Sequence, residues 1–350
     1  MKNKAYHIIG AGVAGLCAAK FIKQKFPQAK VYLYEAAHHI GGRAYSFFDK
    51  NWQLSLDNAT HVILRANKNA YRVFPSFKKW QKVFFMEKGQ NSLQTNKWKF
   101  RDEIAEAVFN TSFGEVGFKQ WLNIAGQLFP FLPKQFKASF SQGNLTQDLM
   151  QILQLPDIHI NYGYKLLSIE QQGELITKLI FNKQTIELKE GEQVISALDS
   201  YNFGKIFDPT NFEYNSIINI YFHTSMALTL PKRLHFIGLK GYKAQWVFSF
   251  PNILAVTISN ANACTLSDDE LARLIWEEIC ALRGRAAAFM PEYRVLRHKR
   301  ATIKQDKPNN ALRPSSAQTK WANLQICGDW TMKNYPCCIE SAILSARRLL

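Results

Sequence analysis

The chain has 350 residues, 47% of them hydrophobic, and 44 Lys plus Arg against 27 Asp plus Glu, a formal net charge of +17. That is roughly two domains' worth of chain, and the composition excludes a disordered protein while supplying apolar side chains for a sizeable core. The excess charge is concentrated: residues 65–101 hold ten basic side chains and one acid, Glu87, and residues 283–350 hold thirteen basic and four acidic, on an otherwise near-neutral body. This argues against diffuse supercharging and asks for an anionic partner, whether nucleic acid, acidic membrane or a phosphate-bearing ligand.

Six cysteines, at 17, 264, 280, 327, 337 and 338, form no C-x-x-C pair, and no histidine cluster has zinc-ligand spacing. No metal site is expected, and a reducing compartment is the default for so few thiols in so long a chain. Residues 5–10 read as a short apolar strand. The basic start and apolar residues 5–19 resemble a signal peptide, but the spacing of Gly10, Gly12 and Gly15 accounts for them better. A helix is expected over 14–26, stopped by Pro27. Residues 30–35 (KVYLYE) alternate as a second strand and end on an acid.

Residues 66–141 are mixed and aromatic-rich, with helical periodicity over 102–108 and 118–129 before Pro130 and Pro133 break the chain. A helix is expected over 144–155. From 158 to 198 the pattern predicts a β-meander, with turns at Gln171-Gln172-Gly173 and Asn182-Lys183-Gln184. The uncharged run 244–267 is long enough to span a bilayer. Pro251-Asn252 divides it, however, and Gln245, Asn260 and Asn262 interrupt it, so it reads as two strands, 245–250 and 253–259, and no transmembrane helix is predicted. Ser267 followed by Glu270 forms a capping box for a helix whose apolar face is Leu271, Leu274, Ile275 and Ile279. A strand over 324–327 and a helix over 338–350 close the chain.

The chemistry begins at Gly10-Ala11-Gly12-Val13-Ala14-Gly15, which follows a strand and opens a helix. The first glycine permits the tight turn, the second lets backbone approach a pyrophosphate, and the third lets helix and strand pack closely. The helix N-terminus then offers free N–H groups to phosphates. Glu35, ending the next strand, is placed to accept both ribose hydroxyls of an adenosine and argues against a 2′-phosphate. A βαβ unit without a ligand is the alternative.

Past Glu35 stand Gly41-Gly42-Arg43, and near the C-terminus Ile326-Cys327-Gly328-Asp329 precede a helix at Ile339. These motifs, in this order, resemble those of the amine oxidase and phytoene desaturase superfamily of flavoproteins. The resemblance implies FAD, bound by Gly10, Gly12, Ala14, Gly15, Glu35, Gly41, Gly42, Arg43, Gly328, Asp329 and Ile339. It implies an α/β chain, α+β overall: a Rossmann-like FAD-binding domain of the glutathione reductase-2 type (1–64, 142–205 and 318–350) with an inserted mixed-sheet and helical substrate domain (65–141 and 206–317). Within the superfamily, Leu56-Asp57-Asn58 with His61, Ala107–Thr111 (AVFNT), Gln245-Trp246-Val247-Phe248, Lys299-Arg300-Ala301-Thr302 and Gly328-Asp329-Trp330-Thr331 resemble hydroxysqualene dehydroxylases over nearly the whole chain. Ala59 and Thr60 replace a Gly-Gln of that pattern, Tyr335 and Ser341 replace its Leu and Gly, and the stretch from 62 to 110 is short for the family.

That family resemblance implies reductive dehydroxylation of hydroxysqualene to squalene: an allylic hydroxyl departs and hydride arrives from N5 of reduced flavin. His61 and Asp57 are the candidate polar groups at the departing hydroxyl, against the reading that Asp57-Asn58 caps a turn and His61 is structural. Gln245, Trp246 and Trp330 are candidates to line the substrate cavity, against ordinary packing. Cys337-Cys338 read as small buried thiols. The alternatives are an amine-oxidase-like or carotenoid/phytoene-desaturase-like FAD oxidoreductase and a shortened non-catalytic FAD-binding relative. Partners expected are a polyisoprenoid and an anionic membrane surface contacted by the first basic segment, with no nucleic acid and no electron donor named. The expected location is cytoplasmic, peripheral on the inner face of the cytoplasmic membrane.

Overall fold

A computed structural model describes residues 5–90, 92–128, 137–224, 230, 234–287 and 289–350, with backbone alone at 124–128. The first strand, Ala5–Ile9, is buried along its whole length and pairs in parallel on both edges. It lies in the middle of a five-stranded parallel sheet ordered 324–326, 193–196, 5–9, 30–35, 158–162. A strand covered on both faces loses the alternating pattern, which is why AYHII reads as a continuous buried run. Strands are added to the sheet on one side and then the other, so a crevice opens at the C-terminal ends of the central strands.

The helix Val13–Lys25 covers one face of this sheet. Its Leu16, Cys17, Ala18, Ala19 and Ile22 are fully buried among Ile8, Val31, Leu33, Leu149 and Ile343. Small residues on this helix allow close approach to the final helix, Ile339–Arg347, and to Leu145–Leu153. On the other face, Tyr34, Val194 and Leu324 pack under an antiparallel sheet of Leu166–Gln172, Leu175–Phe181 and Thr185–Glu187. The expected meander is therefore only these three strands. Ile158–Tyr162 and Gln193–Ser196 flank them in sequence but belong to the parallel sheet.

A second, mixed sheet of six strands runs in the order 292–303, 214–223, 253–258, 246–250, 236–240, 85–87. The strands Trp246–Phe250 and Ile253–Ile258 form the expected hairpin, with Asn252 in the left-handed conformation at its turn. One face of this sheet carries Ile218, Ile220, Phe222, Val247 and Val256 and is covered by the helix Asp268–Leu282. The other face carries Tyr221, Phe236, Trp246, Phe248 and Ala255. It packs against Phe100, which caps the helix Arg101–Phe109, against Phe109 at that helix's end, and against Phe140 of the strand Lys137–Phe140. The helix Phe118–Leu128 follows the expected periodicity, while the expected break at Pro130 and Pro133 lies outside the described residues. Among the described residues no helix is long and apolar enough to cross a membrane.

The Asp268–Leu282 helix shows how local sequence fixes an element. The Ser267 hydroxyl accepts from the Glu270 N–H at 3.3 Å, and the Glu270 carboxylate accepts from the Ser267 N–H at 2.9 Å. Asp268, Asp269 and Glu270 place negative charge in the first turn, where the helix dipole favours it. Leu271, Ile275 and Ile279 then bury onto the sheet as expected, Leu274 only in part. Ser267→Ala should lower global stability by about 0.5–2 kcal/mol, read as a lower midpoint in thermal or urea denaturation. The crevice should be unaffected, because this helix packs on the opposite face of the six-stranded sheet.

Candidate functional site

The crevice edge is built from glycines. Gly10 sits at φ +101°, where L side chains are strained, and its N–H donates to the Tyr34 carbonyl at 2.8 Å. A Cβ on Gly15 would lie 2.0 Å from the Gly10 carbonyl oxygen, so only glycine lets the helix sit directly on the turn. Gly12 caps that helix without a side-chain hydrogen bond, and no acid occupies the first turn. Glu35 stands beside it and accepts from the Ala11 and Ala37 N–H groups, both at 2.8 Å. The second glycine pair docks on the first: the Gly41 N–H donates to the Ala11 carbonyl at 2.8 Å, and Gly12 and Gly41 bridge in parallel.

The C-terminal motif closes the same site. Arg43 pairs with Asp329 at 2.5 Å and donates to the Ala301 carbonyl at 2.8 Å. Its guanidinium is half exposed to the cavity while Asp329 is buried. The Arg43 pKa is raised, first by the charge of Asp329. The Gly-Asp-Trp-Thr loop is held from behind by Arg313, a fully buried side chain. Its guanidinium donates to the carbonyls of Trp330 at 3.0 Å and of Tyr335 and Asp329 at 2.7 Å. Pro336, Cys337, Cys338 and Ile339, at the start of the final helix, then face the cavity. Glu340, the one acid in that first turn, is turned away onto the Ala70 N–H and the Asn69 amide, both at 2.7 Å. Burial pushes the Cys337 thiol up to about 12, which keeps it protonated.

Between the two motifs, Asn58 joins the polar groups of the site. Its Oδ1 accepts from the Tyr45 N–H at 3.0 Å and faces Nε2 of His61 at 3.4 Å. Its Nδ2 donates to the Arg43 carbonyl at 3.0 Å, and its own carbonyl accepts from His298 Nε2 at 2.8 Å. His61 and His298 both line the cavity. Burial lowers the His61 pKa to about 4, and the neighbouring His298 and Arg43 charges push the same way. His61 is therefore a neutral imidazole near pH 7. Asp57 does not reach the cavity wall. It is buried, its carboxylate taking the Ser46 hydroxyl at 2.6 Å and the Gly143 N–H at 2.9 Å.

These groups surround one cavity of about 1180 Å³. That exceeds the roughly 300–1,000 Å³ of a single small-molecule site and leaves room for a second ligand beside a dinucleotide. Gly10, Gly12, Ala14, Glu35, Gly41, Gly42, Arg43, Gly328, Asp329 and Ile339 are all on its wall, together with His61 and Trp246. Gly15 lies behind the turn, where it permits packing. Gln245 and Trp330 are in packing positions. The Gln245 amide donates to Glu106 at 2.7 Å and accepts from the Ser259 N–H at 2.7 Å. Trp330 packs against Phe203 and Phe212 and donates to the Leu198 carbonyl at 2.9 Å. The end of the cavity away from the glycines is apolar: Val83, Ile104, Val108, Ala138, Phe236 and Phe248.

The residues present fit a dinucleotide flavin. Two helix N-termini face one cavity, glycine edges let a ligand approach the backbone, and no uncompensated acid stands in either first turn. The sequence reading gave no role to His298 or Arg313, which lie in the second basic segment, and it treated Asn58 as part of a family motif or a turn cap.

Comparison with known proteins gives concordant results. Residues 138–349 match a family model described as flavin containing amine oxidoreductase, and residues 8–77 match an NAD(P)-binding Rossmann-like domain. A hydroxysqualene dehydroxylase from Zymomonas mobilis is 27% identical over 407 aligned positions, covering 97% of each chain. One from Rhodopseudomonas palustris is 25% identical over 420 positions, covering 99% of this chain and 97% of its own. Both alignments run longer than this chain, so each relative carries residues that it lacks. In structure, an oxidoreductase from Methanosarcina mazei superposes with a TM-score of 0.74 at 12% identity, covering 99% of both chains.

The depressed His61 pKa has a signed consequence. An unfolded histidine binds its proton near pH 6.5 and His61 in the fold near pH 4, so between these values the unfolded state holds more protons. His61 contributes a loss of stability as pH falls from about 6.5 to about 4, and nothing further above 6.5. NMR titration should find the His61 ring neutral at pH 6. His61→Asn should flatten the acid limb of the stability profile, and a ring that titrates near 6.5 would contradict the burial argument.

Proposed function

The chain belongs to the flavin containing amine oxidoreductase family, and on that premise we propose that it is a FAD-dependent enzyme that reductively removes the hydroxyl of hydroxysqualene to give squalene. The observation that carries this reading is a single cavity with a dinucleotide cradle at one end and an aromatic and aliphatic wall at the other. FAD rather than a mononucleotide is supported by Glu35 and the Gly10–Gly15 turn, an adenosine and pyrophosphate cradle. We divide the chain into a FAD-binding part (1–64, 142–205 and 318–350) and a substrate part (65–141 and 206–317), a reading supported by the five-stranded and six-stranded sheets each falling within one part.

When bound, the flavin supplies the hydride for the reaction. The chain's own residues bind, orient and exclude water. The first-turn N–H groups of Val13–Lys25 and Ile339–Arg347 meet anionic parts of the cofactor. Arg43, fixed by Asp329 and Ala301, sets one positive charge between the two ends. Val83, Ile104, Val108 and Phe248 remove the isoprenoid chain from water. His61 and His298, held by Asn58, stand where the hydroxyl leaves. A neutral His61 serves that oxygen as a hydrogen-bond partner and not as a cationic acid. Asp57 anchors the end of the strand Leu54–Asp57, from which the loop carrying Asn58 and His61 departs.

The same reading places the protein in the cytoplasm, peripheral on anionic lipid. Trp98 and Phe118 are 68% and 71% exposed, and Leu122 lies one turn beyond Phe118. They stand among Lys99, Arg101 and Lys119, and Arg101 over the Phe113 ring links the two groups through Trp121. A cationic patch with exposed aromatics is the chemistry of lipid-surface contact.

Anaerobic incubation of the reduced flavoprotein with hydroxysqualene should yield squalene and oxidised flavin. If hydroxysqualene leaves the reduced flavin unchanged while an amine bleaches the oxidised enzyme, the assignment fails in favour of an amine oxidase. In co-sedimentation with liposomes, binding should rise with anionic lipid, fall with salt and drop several-fold in Trp98→Ala/Phe118→Ala. Binding indifferent to lipid charge and to salt would remove the membrane from the account.

A further inference from the structure

The six-stranded sheet turns a polar row toward the apolar end of the cavity. Trp246 pairs with Thr257, and Thr257 with Asn219, so the three side chains lie on one face across adjacent strands. All three line the cavity. Asn219 is fully buried, and its orientation is fixed. Oδ1 accepts from the Thr60 backbone N–H at 3.2 Å and from the Thr257 hydroxyl at 2.9 Å, and a backbone N–H can only donate. The amide nitrogen Nδ2 is therefore on the other side, and it has no partner among the described residues. Trp246 is 9% exposed, and its indole Nε1, a donor only, also has none.

Two buried donors left unpaired in an aliphatic and aromatic wall are costly to keep. Filling this end with a pure hydrocarbon would leave both without an acceptor. A ligand carrying an oxygen would supply one. Both donors are neutral, so they suit a neutral hydroxyl or carbonyl oxygen rather than a carboxylate or phosphate, whose charge would go unmatched here.

We propose that Asn219 Nδ2 and Trp246 Nε1 form an oxygen-recognition site that makes the apolar end of the cavity selective for an oxygenated lipid over the matching hydrocarbon. This deepens the dehydroxylase reading and rests on it for the isoprenoid nature of the chain; the oxygen preference rests on the donors. It separates an enzyme that removes a hydroxyl from one that desaturates a hydrocarbon. Discrimination of this kind is large because the wrong ligand leaves the site's polar groups unpaired.

The test titrates the oxidised flavoprotein, which cannot perform the reductive step, with hydroxysqualene and with squalene, following the flavin absorbance. The wild type should bind the alcohol at least about 10-fold more tightly. Trp246→Phe keeps the aromatic bulk and removes only the donor; Asn219→Ala removes the amide. Each should weaken alcohol binding about 10-fold and leave squalene binding within about two-fold. Trp246→Phe carries the test alone if Asn219→Ala does not fold. No preference in the wild type, or a preference that survives in the folded variants, overturns the proposal. So does a variant that loses flavin or alters its spectrum with the preference intact, since the donors would then serve the cofactor. A preference that is present and lost in the variants, without dehydroxylation by the wild type, sinks the reaction and keeps the site. Dehydroxylation unimpaired in both variants, with no change in preference, does the reverse.

Discussion

Arg43 and Asp329 are 286 positions apart in sequence and 2.5 Å apart in space, and the rest of the site is arranged around that contact. It ties the glycine edge made by residues 10–42 to the loop that leads into the final helix. Asp329 is buried and Arg43 half exposed, so a ligand in the cavity takes part of the pair out of water. Removing either partner would leave a buried charge or a free cation at the centre of the cradle, which is strongly destabilising. Arg313 backs the pair and, among the described residues, has no carboxylate of its own. Its three carbonyl acceptors spread its charge over the backbone that presents Asp329.

Local patterns made much of this legible. The Gly10, Gly12 and Gly15 spacing and the capping box at Ser267 and Glu270 each rest on contacts within a few residues; the structure closes the capping box, packs Gly15 onto Gly10 and sets Glu35 beside the turn. Sheet membership was less accessible. Ile158–Tyr162 and Gln193–Ser196 look like the meander strands between them because alternation reports burial and not the partner strand. The cavity wall was harder still. Gln245 and Trp246 are neighbours and cannot both face one side of a strand; Trp246 takes the cavity and Gln245 goes to Glu106.

The polar centre of the site shows a further reason. Asn58, His298, Arg313 and Asn219 lie in four separate stretches of sequence, and none carries a local signature of its role. His298 and Arg313 are masked by the cations around them. What recruits them is tertiary: a carbonyl of Asn58 that needs a donor, a loop of carbonyls that needs a guanidinium, a strand register that points one amide inward. Net charge also acquired a location. The cations of residues 97–119 stand beside exposed aromatic rings, while Lys299 and Arg300 rim the cavity and Arg313 is wholly internal.

The central strand of the parallel sheet, Ala5–Ile9, is made first, yet the strand beside it, Gln193–Ser196, emerges much later, and Leu324–Ile326 must still add to that. During synthesis the N-terminal segment therefore waits, with its apolar run unpaired on one edge, for just over half of the chain. A nascent polypeptide that has the Gly10–Gly15 turn but not residues 324–347 has half a cradle and no cavity to close. The cradle is thus completed late, by the strand and helix of residues 324–347, and until residues 193–196 arrive the strand Ala5–Ile9 exposes an unpaired apolar edge.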